Sequence, residues 1–401
     1  MVDTAVEILK AILLALVALS LLSTLLSHVF TWYYFASYDR RFPTKGHTPP
    51  VSIIKPTKGV DQSALDNFRS FCVQDYPNDY EILFCVEGSL DPSIPVIRGV
   101  MQEYPDVDVH IVFSDPEDTR SMGKVKNMIA GYGASSYDVI IFSDSDAHVP
   151  PDFLRETVAC TESKKIGLGF GAQAYEGAEN WAAALMAISA NAFVLRLASM
   201  CLFGAFDGAV GTTMVARKVV IEQAGGLQQF GRQIADDLPL ARAIRDKGFQ
   251  IHLLEQPSRI IHRTYSFEDW WSHLQRWSVI IRHYWPKSFL VTTLADLAPW
   301  WACLFLVVSL LEGGDVYLGV CLLIAALGGS LISAAIVNVR FVRDRGLWRY
   351  LWVVFVQEFV RLPLAVYSGW TSEISWRGRR FRIAPDRTAQ LVPERGKGRA
   401  G

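Results

Sequence analysis

The hydropathy pattern divides the chain into an apolar start, a mixed middle and an apolar end. From Ala11 to Phe35 no charged residue interrupts the run, which is long enough to cross a hydrocarbon core of about 30 Å. A cleaved signal peptide would have a shorter apolar stretch and a small-residue cleavage site. This run ends instead in Trp32-Tyr33-Tyr34, followed by Arg40, Arg41 and Lys45, an interfacial aromatic belt and a stop-transfer flank. Residues 1–37 therefore read as a transmembrane anchor, and the positive flank places the middle of the chain in the cytosol.

Between residues 48 and 286 the pattern changes to short β-branched runs separated by amphipathic stretches. "VSIIKPTK", "YEILFCVEG", "VDVHIVFSD" and "YDVIIFSDSD" read as strands, with helices such as Ser63–Cys72 and Ile94–Glu103 between them. Strand and helix alternating at this spacing predict an α/β domain, with a mostly parallel sheet covered by helices on both faces. In such sheets ligands bind at the carboxyl ends of the strands. No GxGxxG follows the first strand and no P-loop occurs, so a Rossmann dehydrogenase or an ATPase has no support.

The apolar character returns over residues 287–370. "LADLAPWWACLFLVVSLL" closes in an acidic turn, Glu312 to Asp315, and "VYLGVCLLIAALGGSLISAAIVNV" comes next, before the basic stretch Arg340 to Arg349. A third segment carries Glu358, Arg361 and Pro363. Charge at a bilayer centre is costly, so this segment either faces other helices or lies re-entrant at the interface. The basic tail, residues 371–401, favours a cytosolic end and hence a last segment that does not span.

Composition adds little beyond this. The hydrophobic fraction is 51% and the formal net charge is -1, so nothing global points to nucleic acid. The six cysteines are scattered without metal-type spacing and read as small apolar residues rather than a disulfide framework.

Four stretches carry candidate chemistry. In "SDSDAH", Asp144 and Asp146 sit at a strand end and can present two carboxylates to Mg²⁺ or Mn²⁺. A solvated turn or a helix N-cap explains the same residues, and His148 reads as a loop residue. Asp236 and Asp237 open an amphipathic helix, where acids favour the helix dipole or aim a general base into a cleft. "WWSHLQRWSVIIRHYWP" interleaves Trp, His and Arg, as an interfacial helix does or as a cation beside a leaving diphosphate would. Lys124 and Asn127 precede the Asp-x-Asp strand, where Lys124 can pair a phosphate or be solvated. Asp91 comes after the second strand in an ordinary turn sequence.

The order of these points is more specific than any one of them. Asp91, Asp144-Ser-Asp146, Asp237 and Arg276-Trp277 resemble the D, DxD, D, (Q/R)xxRW series of family 2 and family 21 glycosyltransferases with the GT-A fold. "QDYPNDYEILFCVE", "QAGGLQQFGRQIADDLPLARAIRDKGF" and "ISWRGRRFRI" are similar to segments of the ceramide glucosyltransferase family, so the resemblance covers most of the chain. It implies a GT-A domain, a UDP-sugar donor and a divalent cation, Mg²⁺ or Mn²⁺. It also implies a ceramide acceptor in the bilayer and an inverted, β-linked product. Lys55, Glu87, Asp91, Lys124, Asn127, Asp144 and Asp236 would then bind the UDP-sugar, and Asp146 with Asp144 the cation. Asp237 would be the base, with Arg276, Trp277 and His273 at the leaving diphosphate and acceptor.

His273 departs from the family's Gln or Arg. Bacterial relatives acting on hopanoids are similar here, which brings hopanoid, sterol or diacylglycerol acceptors into view and suggests a bacterial inner membrane.

Overall fold

The computed structural model describes residues 2–38, 46–118, 121–376 and 378–392. Arg40, Arg41 and Lys45, the expected stop-transfer flank, lie outside the described residues, as do 393–401 of the basic tail.

In chain order the elements begin with α1 (Val2–Ala36), β1 (Val51–Pro56), α2 (Ala64–Cys72), β2 (Tyr80–Val86), α3 (Ser93–Glu103) and β3 (Asp108–Phe113). Next come α4 (Gly123–Ala134), β4 (Val139–Ser143), β5 (Ala147–His148), α5 (Phe153–Val158), β6 (Ile166–Phe170) and β7 (Gln173–Glu176). Two apolar helices, α6 (Trp181–Asn191) and α7 (Phe193–Leu202), precede β8 (Thr213–Arg217), α8 (Lys218–Gln223), α9 (Asp237–Asp246), β9 (Gln250–Leu253) and β10 (Ser258–Ile261). Helix α10 (Phe267–Tyr284) ends the α/β domain, and the apolar part beyond it holds α11 (Pro286–Ala295), α12 (Ala298–Glu312), α13 (Val316–Val337) and α14 (Val353–Trp370). Strands β11 (Glu373–Trp376), β12 (Arg379–Ile383) and β13 (Ala389–Leu391) close the described chain.

The main sheet has the order β3-β2-β1-β4-β8-β6-β9. Strand β8 runs antiparallel to both neighbours, and every other pairing in it is parallel. This is the mostly parallel α/β sheet of the expected GT-A domain. Its strands read as continuous apolar runs because both faces are buried: Ile53, Ile54, Ile82, Phe84, Ile140 and Ile141 are fully enclosed. The parallel crossovers put the carboxyl ends of β1, β2 and β4 on one edge, and antiparallel β8 starts there. That edge carries the candidate residues.

A second sheet, β5-β10-β7, sits beside this edge. His148 is therefore a strand residue, paired with Arg259, and not in a loop. The pairing of β5 with β10 fixes the chain after β10 next to the Asp-x-Asp turn.

Among the described residues three helical stretches are long and apolar enough to cross a membrane, Thr4–Ala36, Trp181–Leu202 and Val316–Val342, with a fourth if the bent pair α11–α12 counts as one. The second is α6 with α7, and α6 is buried from Ala182 to Asn191. The others expose apolar faces: Leu19 is 62% exposed and Leu311 83%, as lipid-facing residues are. The aromatic belt splits. Trp32 and Tyr33 are exposed, while Tyr34 is buried and donates to the Leu253 carbonyl at 2.8 Å. Tyr38 bonds His252 at 2.7 Å. These two tyrosines seat α1 on the α/β domain rather than both standing at the lipid surface.

Candidate active site

The site grows from the turn after β4. The Asp144 N–H donates to the Thr212 carbonyl at 3.0 Å, which ties the turn to the entry of β8. Lys55, at the end of β1, is fully buried, lies 3.6 Å from the Phe71 ring centroid and donates to the Asp144 carbonyl at 2.9 Å. Burial draws its pKa down to about 7. It therefore supports the backbone of the Asp-x-Asp turn. Asn127 is also buried and donates to the Thr57 carbonyl at 3.2 Å. Asp91 accepts from Gly59 N at 3.0 Å and Ser93 N at 2.9 Å, and so fixes the loop after β1. Glu87 pairs with Lys58 at 3.3 Å.

The charged centre is a four-membered cluster. Lys124 Nζ lies 2.7 Å from Asp144 Oδ1 and 3.1 Å from Asp236 Oδ2. Burial opposes its charge, but Asp144 and Asp236 together hold its pKa above the ordinary range. Asp144 is pushed up to about 6, by burial first and against the pull of Lys124. Asp237, at the start of α9, accepts from the Gly211 N–H at 2.8 Å and from the Leu238 N–H at 2.8 Å. Burial, then the neighbouring Asp236 carboxylate, raises its pKa to about 7. A side chain added at Gly211 would come within 3.1 Å of Asp237 Oδ2 and 3.2 Å of Lys124 Nζ. The glycine keeps the space between them open.

Beside this cluster lies a cleft of about 600 Å³ lined by Asp61, Asn67, Asp146, His262, Tyr265, His273 and Arg276, with Ser375 and Gly378 of the C-terminal hairpin. Asp146 Oδ2 is 3.9 Å from His262 Nε2. Burial would raise the Asp146 pKa, yet His262, Lys124 and Lys55 together outweigh it and the carboxyl is held below its usual range. The carboxylate oxygen suits Mg²⁺ or Mn²⁺, and the imidazole nitrogen beside it favours the transition-metal ion, Mn²⁺. Asp144 faces Lys124 instead, so Asp146 and His262 would hold the ion, which when bound neutralises diphosphate charge. A tighter group, Glu81, Asp108 and His110, lies at the amino ends of β2 and β3, on the opposite edge. There Glu81 already accepts from Ser52 and Ser136.

Helix α10 supplies the remaining groups. A capping box starts it: Ser266 Oγ accepts from Asp269 N and Asp269 accepts from Ser266 N. His273 bonds the Tyr265 hydroxyl at 2.8 Å, and burial, aided by Arg276, holds its pKa well below the ordinary value. It enters the cleft as a neutral ring, and the positive charge there falls to Arg276. The Arg276 guanidinium lies 5.7 Å from the Trp376 ring centroid. Trp277 points away from the cleft, edge-on to His273 with centroids 4.6 Å apart and 5.8 Å from Phe193.

Asp144, Lys124, Asp236 and Asp237 thus come together, and Asp146, His273 and Arg276 line the adjoining cleft. Gly211, Asp61, His262 and Tyr265 were not among the residues read from the sequence. A histidine directly after the "SRII" strand was the one available signal for His262.

A strand-edge carboxylate cluster, a cleft lined by carboxylate, imidazole and guanidinium groups and helices apolar enough to span a bilayer fit a membrane-associated glycosyltransferase. The sequence profile of glycosyl transferase family 21 matches residues 11–389, and the chain belongs to that family. Ceramide glucosyltransferase 1 of Caenorhabditis elegans is 25% identical over 359 residues, covering 86% of this chain and 75% of the relative. Ceramide glucosyltransferase 3 of the same organism is 27% identical over 254 residues, 63% of this chain and 54% of the relative. The ceramide glucosyltransferase of Komagataella phaffii is 34% identical over 125 residues, 30% of this chain and 24% of its own. A mannosyltransferase from Pyrobaculum calidifontis, solved with GDP-Man and Mn²⁺, covers 90% of this chain and 99% of its own at 16% identity, with a TM-score of 0.49.

Proposed function

We propose that this chain transfers glucose from UDP-glucose to the primary hydroxyl of ceramide, with inversion, at the cytosolic face of a membrane. The observation that carries the reading is Asp237. Its carboxylate is fixed by two backbone N–H groups and its pKa is raised to about 7, as a general base working near neutrality requires. Asp237 takes the hydroxyl proton while the acceptor oxygen forms its bond to the anomeric carbon. The bond from that carbon to the diphosphate oxygen breaks, and the pair of electrons leaves with UDP. Arg276 faces the departing negative charge. Asp146 and His262 would hold the divalent cation, and Asp91, Lys124 and Asp144 set the loops that receive the nucleotide. The names of the relatives support glucose and ceramide.

Chain parity supports the orientation. Lys10, near the start of α1, pairs with Asp315 at 2.6 Å and Glu312 at 3.4 Å in the turn between α12 and α13, so both ends share one side. With α1, the bent α11–α12 pair and α13 spanning, β11–β13 return to the side of the α/β domain. They pack on it there: Ala389 N donates to Arg232 O at 3.0 Å and Gln275 to Glu373 O at 2.9 Å. Helix α14 then lies within the membrane region without crossing it. In a bacterium this is the inner membrane.

Membranes carrying the protein, given labelled UDP-glucose, UDP-galactose or UDP-N-acetylglucosamine with ceramide, hopanoid or diacylglycerol, test the reading. Glucosylceramide that disappears with EDTA is expected. A hopanoid product with none from ceramide overturns the acceptor.

A further inference from the structure

Behind Trp277, on the side of α10 away from the cleft, lies a second cavity of about 430 Å³. Its walls come from α1, α6, α7, α10, α11, α13 and α14, so it sits where the α/β domain meets the apolar helices. Much of the wall is apolar, with Leu195, Leu274, Val337 and Leu364 among it. Four charged side chains face it as well. Arg196 is ion-paired with Asp296, and Arg361 lies 3.4 Å from Glu358 Oε1 and donates to the Asp296 carbonyl. Glu358 is only 2% exposed; the Ser330 hydroxyl of α13 stands beside its carboxylate, and its second oxygen, Oε2, has no partner at hydrogen-bonding geometry.

We infer that this chamber is a membrane-depth holding site for the acceptor, a neutral lipid whose head carries hydroxyl or amide donors. The inference rests on the acceptor reading above. Two observations set the ligand class. The two arginines are matched by two carboxylates, so no surplus positive charge remains for a phosphate head. The buried Oε2 of Glu358 is an acceptor without a donor, and a buried acceptor left unsatisfied costs free energy that a ligand's O–H or N–H recovers. The apolar walls take the chains. Trp277 is the shared wall, since it lines the chamber and packs edge-on against His273, which lines the cleft. The lipid is held at Glu358 before its hydroxyl passes to Asp237.

The full-length protein in nanodiscs, irradiated with a ceramide bearing a diazirine in its chain, tests this. Labelled peptides should map to α6–α7, α13 and α14, and unlabelled ceramide should displace the probe. Acetyl-diacylglycerol, neutral but without a donor, and anionic phosphatidic acid should not. Glu358→Leu should lower labelling and kcat/KM for ceramide by about tenfold, the scale of one hydrogen bond to a charged group, with KM for UDP-glucose within about twofold. Ala334→Trp, which fills the chamber from α13, should do the same, and Glu358→Gln should retain more activity than Glu358→Leu. UDP binding in each variant reports that it is folded. Labelling elsewhere, equal labelling in Glu358→Leu, or equal displacement by acetyl-diacylglycerol overturns the inference. Labelling needs no turnover, so absence of transfer to ceramide sinks the functional reading separately.

Discussion

At the scale of residues, reactivity is set by the surroundings of each carboxylate. Asp237 has its raised pKa because it is buried beside Asp236, with Lys124 only partly compensating. Asp237→Asn should lower kcat by about 10²- to 10⁴-fold, the usual range for a general base, while UDP binding by calorimetry stays within about twofold. The raised pKa also fixes the sign of the pH effect. Below about 7 the carboxyl is protonated and cannot accept the hydroxyl proton, so kcat/KM rises with pH through that value. A profile of kcat/KM against pH checks it, and a limb near about 4, where an unperturbed carboxylate titrates, contradicts it. Asp146→Asn and His262→Ala should each weaken Mn²⁺-dependent UDP binding by about ten- to hundredfold, the cost of altering a metal site. Titration of UDP with and without Mn²⁺ reads this out.

The carboxylates were legible in the sequence because they end an apolar strand and open a helix. His262 was not. It reaches Asp146 through the pairing of β5 with β10, residues Ala147 and Ile260, a contact between segments far apart in the chain. The resemblance implied that Lys55 binds the UDP-sugar, and its ammonium turns to the Asp144 carbonyl. Local spacing does not reveal which side of a strand end faces the cleft.

At the scale of elements, the strands were readable where both faces are buried, since burial leaves a continuous apolar run. The apolar stretch Asn180–Phe206 fits a buried core helix and the lining of a lipid groove equally in sequence. Helix α6 is buried from Ala182 to Asn191, with Trp270 Nε1 donating to Ser189 Oγ at 3.2 Å, and the chamber is lined by Ser189 of α6 together with Phe193 and Arg196 of α7. Glycine at 211 is an element-level requirement, because it lets the chain enter β8 against Asp237 and Lys124. Gly211→Ala should cut kcat by about ten- to hundredfold through displacement of Asp237 or Lys124, measured as initial rates at saturating substrates. Ser266→Ala removes the cap of α10 and should cost about 1 kcal/mol of stability, read as an earlier midpoint in thermal unfolding.

At the scale of the whole molecule, the α/β domain and the apolar helices share one interface, where the chamber lies. The seating of Tyr34 and Tyr38 on β9 residues and of β11–β13 on α10 ties both ends of the chain to the catalytic domain. The sequence marked the membrane segments by length and charge. It left α14 open between spanning and re-entrant forms, and the contacts of Lys10 and Ala389 at opposite ends of the helices bear on that choice. A cysteine introduced at Asp315 should react with an impermeant maleimide only from the outer side, and one at Asp75 only after permeabilisation.

The most direct measurement is a single reaction with purified protein in nanodiscs, UDP-[¹³C]glucose and ceramide, followed by NMR at the anomeric carbon. β-Glucosylceramide and stoichiometric UDP are expected, both lost in Asp237→Asn. An α-linked product, or unchanged product from Asp237→Asn, would contradict this.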